Sequence, residues 1–176
     1  MQIIPVNYPE PQSQMTLRLI GQITDLIIHH SDGPTMQSPL DIDAEHRVRG
    51  MCMIGYNYII NGEGQVYAGR PLIYVPSAAY GRNPESVNVC VLGDFQSDDP
   101  GYTGVPTGAQ IDALMALSIQ LHHQYSTIVR TIGHCDVATM FYPNDTADYS
   151  TACPGDKLYL LLPTIKSAIT KAMASL

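Results

Sequence analysis

An α/β fold, with a central mixed β-sheet flanked by helices, is predicted by three observations. Short apolar runs of strand length, such as residues 24–30 and 86–92, alternate along the chain with stretches of helical spacing. Two further runs flank Asn61-Gly62-Glu63-Gly64 and read as a hairpin, so the sheet cannot be purely parallel. Two helix starts carry their own caps, at Ser38 and at Thr107. With 176 residues, of which 45% are hydrophobic and 14% charged, the chain can bury a core and is not of disordered composition.

Residues 1–22 contain Pro5, Pro9 and Pro11 and little periodicity, and read as an irregular arm preceding a domain over 23–176. The run to His30 is a buried strand, broken by Ser31-Asp32-Gly33-Pro34. Ser38 followed by Pro39 starts a helix that runs to Val48 and ends at Gly50. Strands over 54–60 and 65–68 form the hairpin, with glycine supplying the positive φ of its turn. Residues 71–85, with Pro76, Gly81 and Pro84, are a loop, and 86–92 a strand closed by Gly93-Asp94. Thr107-Gly108-Ala109-Gln110 is a capping box, and Ile111, Leu114, Leu117, Leu121 and Tyr125 keep helical spacing after it. A short strand over 128–132 leads to His134. The terminal helix, 154–174, is expected to break or kink at Pro163.

The formal charge of −7 argues against nucleic acid as a partner, because such proteins present a basic face. No stretch approaches the roughly 20 apolar residues that span a bilayer, so stable membrane insertion is not expected. The N-terminus shows no basic segment followed by an apolar run, which predicts synthesis in the cytoplasm without a signal peptide. Cys52, Cys90, Cys135 and Cys153 form no CxxC pair and no dense disulfide framework. A monomer is expected.

Chemistry concentrates in two places. Residues 25–31 end a buried strand in His29-His30-Ser31, where a polar ring must find a partner. Alternation sends the two rings to opposite faces, and periodicity does not say which of them serves a site. Gly133-His134-Cys135-Asp136 and Thr151-Ala152-Cys153-Pro154-Gly155 supply a histidine and a cysteine that a loop would bring together. Two imidazoles and a thiolate leave a coordination position for water, which distinguishes a catalytic zinc site from a structural one. Taken singly, each of these residues is more often structural: His122 and His123 read as a polar helix face, His46 as a packed residue, and Cys52, Cys90 and Cys135 as buried thiols. Cys153 lies near a predicted helix start, which would favour the thiolate.

These segments, together with residues 55–60, Ala68-Gly69-Arg70 and residues 88–95, occur in the order found in zinc-dependent N-acetylmuramoyl-L-alanine amidases. The chain resembles the branch that holds small phage lysozymes and peptidoglycan recognition proteins, across roughly residues 23–165. The resemblance implies the amidase/peptidoglycan-recognition-protein-like fold. It also implies Zn2+ as cofactor, held by His29, His134 and Cys153, and so selects His29 over His30. Tyr56 matches a tyrosine beside the metal, and Thr151 a position that carries lysine or threonine in the family; both are candidate donors to a developing oxyanion. His46 matches a helix histidine of structural character. Where the family often has a histidine in the loop after Ala-Gly-Arg, this chain has Ser77-Ala78-Ala79. Arg70, Tyr80, Arg82 and Asn83 are therefore the candidates for contacting glycan or peptide. The spacing between His134 and Cys153 is longer than in the relatives, and residues 140–149 are expected at the rim of the site.

The implied reaction is hydrolysis of the amide between N-acetylmuramic acid and L-alanine in peptidoglycan. The expected setting is a phage or prophage lysis enzyme that reaches the periplasmic wall once the membrane is opened. A non-catalytic peptidoglycan-binding module and a secreted cell-wall amidase toxin are the alternatives, and the presence of Cys153 favours an enzyme.

Overall fold

Residues 1–175 are described by a computed structural model. Six strands form one sheet: β1 (Ile3–Ile4), β2 (Asp25–His30), β3 (Tyr58–Ile60), β4 (Val66–Ala68), β5 (Ser86–Val91) and β6 (Arg130–Gly133). Their spatial order is β1-β4-β3-β5-β2-β6. Only the β3–β4 hairpin is antiparallel; every other neighbouring pair is parallel. The sheet is mixed, with β2 an interior strand paired along both edges, and its six residues are all buried.

The period-two alternation of the central strands builds two unlike faces. Leu26, Ile28, Val87, Val89 and Val91 point to one face, where they pack on Leu114, Leu117 and Leu121 of the long helix Gly108–Gln124 and on Leu162, Ile165 and Ile169 of the C-terminal helix Leu162–Ala174. Ile27, Cys90 and His29 point to the other, which is covered by the helices Pro39–Val48 and Asp136–Phe141. Helices thus lie on both faces. Among the described residues no helix is long and apolar enough to cross a membrane.

Three elements refine the expectation. The first hairpin strand begins at Tyr58 rather than at residue 54, because the backbone N–H groups of Ile54 and Gly55 bond to side chains of the helix Pro39–Val48. Ile54 N–H donates to Asp43 Oδ1 at 2.6 Å and Gly55 N–H to His46 Nδ1 at 2.9 Å. The C-terminal helix is interrupted, as expected, into Asp156–Tyr159 and Leu162–Ala174, and Pro163 lies in the first turn of the second. There proline removes only an N–H that the first turn leaves unpaired anyway. The first 22 residues, finally, are largely irregular, as expected, and are fastened to the domain at several points. Ile3 and Ile4 pair with β4, Leu17 bridges to Tyr74, and buried Arg18 donates to the carbonyls of Leu72 and Asn83.

Candidate metal centre

Parallel pairing places the C-terminal ends of β2 and β6 side by side, and both run straight into chemistry. His29 is the fifth residue of β2 and His134 follows β6 directly, its N–H donating to Ile28 O at 3.1 Å. Their rings lie 4.5 Å apart, centroid to centroid. The third group arrives from the other end of a long excursion. Cys135 N–H donates to Cys153 O at 2.8 Å, pinning the two ligand-bearing segments together. As a result one nitrogen each from His29 and His134 and the sulfur of Cys153 lie within 4.8 Å of one another. They sit in a cleft of about 270 Å3 whose lining also includes Tyr56, Thr151 and His46.

The residues fit a borderline-soft divalent metal. An imidazole–imidazole–thiolate donor set suits zinc and leaves room for further ligands. His29 is prepared for the task by a partner that the sequence reading gave no role. Asn88 Oδ1 lies 2.7 Å from His29 Nε2, so the ring donates there and keeps its Nδ1 lone pair for the cleft, 3.6 Å from Cys153 Sγ. Asn88 is itself held by Asn57 Oδ1 at its backbone N–H and by Ser86 Oγ at its amide. The signal was available: an asparagine in the middle of a six-residue buried strand must have its polar groups satisfied. Asn88→Ala should weaken zinc binding ~10–100-fold, whereas Asn88→Asp, which keeps the acceptor, should retain most of it. Competition titration with a chromogenic chelator measures both; equal losses would show that His29 is not oriented this way.

The electrostatics favour neutral rings. Burial, followed by the neighbouring His134, drives His29 well below its ordinary value, and burial lowers His134 to about 4. His46 is lowered to about 4, first by burial and then by Arg49 and Arg70. An unfolded histidine takes up a proton near pH ~6.5, before these native ones do. The metal-free protein should therefore hold its full stability above that pH and lose it as the pH falls toward about 4. Urea midpoints at about pH 7.5 and about pH 5 test this, and His46→Asn, which keeps an acceptor for Gly55, should shallow the decline. A midpoint that does not move with pH would contradict it.

Burial acts in the opposite sense on the acids. It raises the Cys153 thiol, so the expected lowering by a helix N-terminus is not seen: the nearby helix Asp156–Tyr159 has four residues and is capped by Gly155, two positions beyond Cys153. Tyr56 is also raised well above its ordinary value by burial, and its ring lies 5.3 Å from that of His29. The Thr151 hydroxyl accepts the Cys153 N–H at 3.1 Å and lines the cleft. His30 faces away from this centre, its Nδ1 accepting Phe95 N–H at 3.3 Å, so the two adjacent rings do part to opposite faces.

Of the four candidates for substrate contact, three are committed elsewhere. Arg70 is buried and donates to the carbonyls of Ile54, Val75 and Met53, bracing the loops around the cleft from behind. Arg82 pairs with buried Asp25 and lies over the Phe141 ring at 4.1 Å. Asn83 Oδ1 accepts the N–H groups of Ala78 and Ala79, closing a turn. Tyr80 alone is open, at 72% exposure. Its ring stacks on Tyr149, which stacks on Tyr142 at 3.7 Å, so the 140–149 excursion meets the loop that follows Ala78. Arg49 and Met51, which the sequence reading left out, line the cleft. They follow the helix Pro39–Val48, and no periodicity marks them.

Known proteins resemble this chain in sequence and in fold. The chain is 29% identical to a peptidoglycan-recognition protein of Drosophila simulans, over 89% of this chain and 83% of the relative. It is 36% identical to an endolysin of Klebsiella phage KP32 over 56% of this chain and 64% of the relative. The solved N-acetylmuramoyl-L-alanine amidase LysC from Clostridium intestinale URNW superposes with a TM-score of 0.79 at 27% identity, covering 97% of this chain and 98% of that one. The sequence profile of the N-acetylmuramoyl-L-alanine amidases matches residues 20–156, and the chain belongs to that family.

Proposed function

We propose that this protein is a zinc-dependent amidase that cleaves the bond between the lactyl group of N-acetylmuramic acid and L-alanine in peptidoglycan. The observation that carries this reading is the convergence of His29, His134 and Cys153 in an open cleft. The thiol that non-catalytic relatives typically lack is thereby in reach of both imidazoles. When bound, zinc supplies a Lewis acid for the scissile carbonyl and lowers the pKa of water toward ~7.

The chain's own residues do the rest. Asn88 holds His29 in one tautomer, and burial keeps both imidazoles neutral and able to donate lone pairs. Tyr56, its phenol held protonated by burial, is a hydrogen-bond donor at the cleft and can stabilise charge developing on the carbonyl oxygen. The Thr151 oxygen is occupied by the Cys153 N–H, which leaves its proton free for the same purpose. His46 accepts the Gly55 N–H and packs on Tyr56, 5.2 Å between ring centroids, positioning the phenol. Exposed Tyr80 offers an apolar face to glycan or stem peptide.

The similarity to a phage endolysin supports a lytic role, acting on the periplasmic wall after the membrane is opened. The test is mass analysis of intact sacculi digested by the zinc-loaded protein. Stem peptides with a free N-terminal L-alanine, beside glycan strands with intact N-acetylmuramic acid, are expected. Products of glycosidic or peptide-bond cleavage would refute the reaction, and sacculi bound without any release would favour a recognition module.

A further inference from the structure

A second cluster of potential ligands lies just past the end of β2, next to the zinc centre's cleft, which Asp32 also lines, and has quite different chemistry. One carboxylate oxygen each from Asp32, Asp94 and Asp99 lie within 4.8 Å of one another. Asp32 follows the end of β2, while Asp94 and Asp99 belong to the loop after β5. Asp94 is 1% exposed. Its Oδ1 accepts the Gln96 N–H at 3.0 Å, but its Oδ2 is buried with no hydrogen-bond partner among the described residues. A buried carboxylate oxygen left unpaired carries a desolvation cost that native structures rarely tolerate.

That orphaned atom points into the cluster. A Cβ placed on Gly101 would lie 3.1 Å from Asp94 Oδ2 and 3.3 Å from Asp99 Oδ1, so both oxygens face the same small space that glycine keeps open. No lysine or arginine among the described residues forms an ion pair with any of the three carboxylates. The nearby His30 ring lies 3.8 Å from Asp94 Oδ1, but its Nδ1 accepts the Phe95 N–H and has no proton to offer. Three like charges with one dehydrated oxygen between them lack a counter-charge.

We propose that Asp32, Asp94 and Asp99 bind a hard divalent cation of the calcium class. Carboxylate oxygens select hard ions over zinc, and calcium accepts six to eight oxygen ligands in an adaptable geometry. Asp32 and Asp99 are exposed, so water completes the shell. Magnesium, which demands a near-ideal octahedron, suits a cage spread over two loops less well. The ion would fasten the loop after β5 to the end of the strand that carries His29, and its effect is on stability. The inference is independent of the amidase reading, because its test reads binding and melting rather than turnover.

Zinc-loaded protein in chelator-free buffer is titrated with CaCl2 by calorimetry and melted with and without it. Saturable binding is expected, with a rise in Tm of about 5 °C at a hundredfold excess over Kd. Asp99→Asn, which keeps an acceptor for the Gly101 N–H, should abolish both responses while leaving zinc content unchanged. Absence of calcium binding in the unaltered protein, an equal response in Asp99→Asn, or a response to MgCl2 but not CaCl2 would overturn the proposal.

Discussion

Replacing Cys153 by alanine should abolish amidase activity and leave a folded protein with little bound zinc. The loss should exceed the ~10–100-fold that follows removal of an outer partner such as Asn88, since a donor atom itself is deleted. Two histidines remain, too few to hold the metal against competition. The fold should survive because Cys153 is a half-buried loop residue whose backbone contacts, to Cys135 N–H and Thr151 Oγ1, do not involve the sulfur. Zinc analysis, sacculus digestion and circular dichroism on the same preparation decide the matter. Unchanged activity would remove Cys153 from the site altogether. The protonation states add a second readout. Burial keeps the Cys153 thiol protonated without metal, while both imidazoles are already neutral at pH 7. Zinc uptake should release about one proton, and affinity should rise with pH.

Asp25→Ala should strongly destabilise the fold. Asp25 is fully buried at the start of β2 and receives Arg82 on one carboxylate oxygen and Arg130 on the other. Deleting one member of a buried ion pair costs ~3–5 kcal/mol, because the remaining charge is stranded. Here Arg82 and Arg130 are 16% and 36% exposed, so both can turn partly to water and the low end of that range, about 3 kcal/mol, is expected. Urea unfolding of Asp25→Ala, Arg82→Ala and the double variant gives the coupling directly. Arg82→Ala should lower stability with KM for peptidoglycan unchanged. A change in KM alone would restore Arg82 to the substrate groove.

Where the sequence was legible, the information was local. Ser38 and Thr107 announce their helices through the atoms that cap them, and the structure has both capping boxes. His29, His134 and Cys153 stand in motifs that resemblance identified, although alternation by itself left His29 and His30 equivalent. What separates them is the neighbouring strand: His29 lies opposite Cys90 on the face that also carries Asn88, while His30 turns toward Phe95. The partners of the arginines were hidden for the same reason. Arg70 is held by carbonyls 16 and 17 residues away and Arg82 by a carboxylate 57 residues away, and a sequence window shows neither. An exposed cation and a buried brace look alike until the chain has folded around them.

The bond from Cys135 N–H to Cys153 O turns the segment between the ligands into a closed excursion with fixed ends. Once such ends are pinned, the entropic penalty of extra length grows only logarithmically, by about 0.6 kcal/mol per doubling. The metal donors are thus insulated from the length of what lies between them. Within the excursion, residues 143–150 are a cassette: the stretch in which new recognition surface can be inserted, exchanged or trimmed while the centre keeps its geometry.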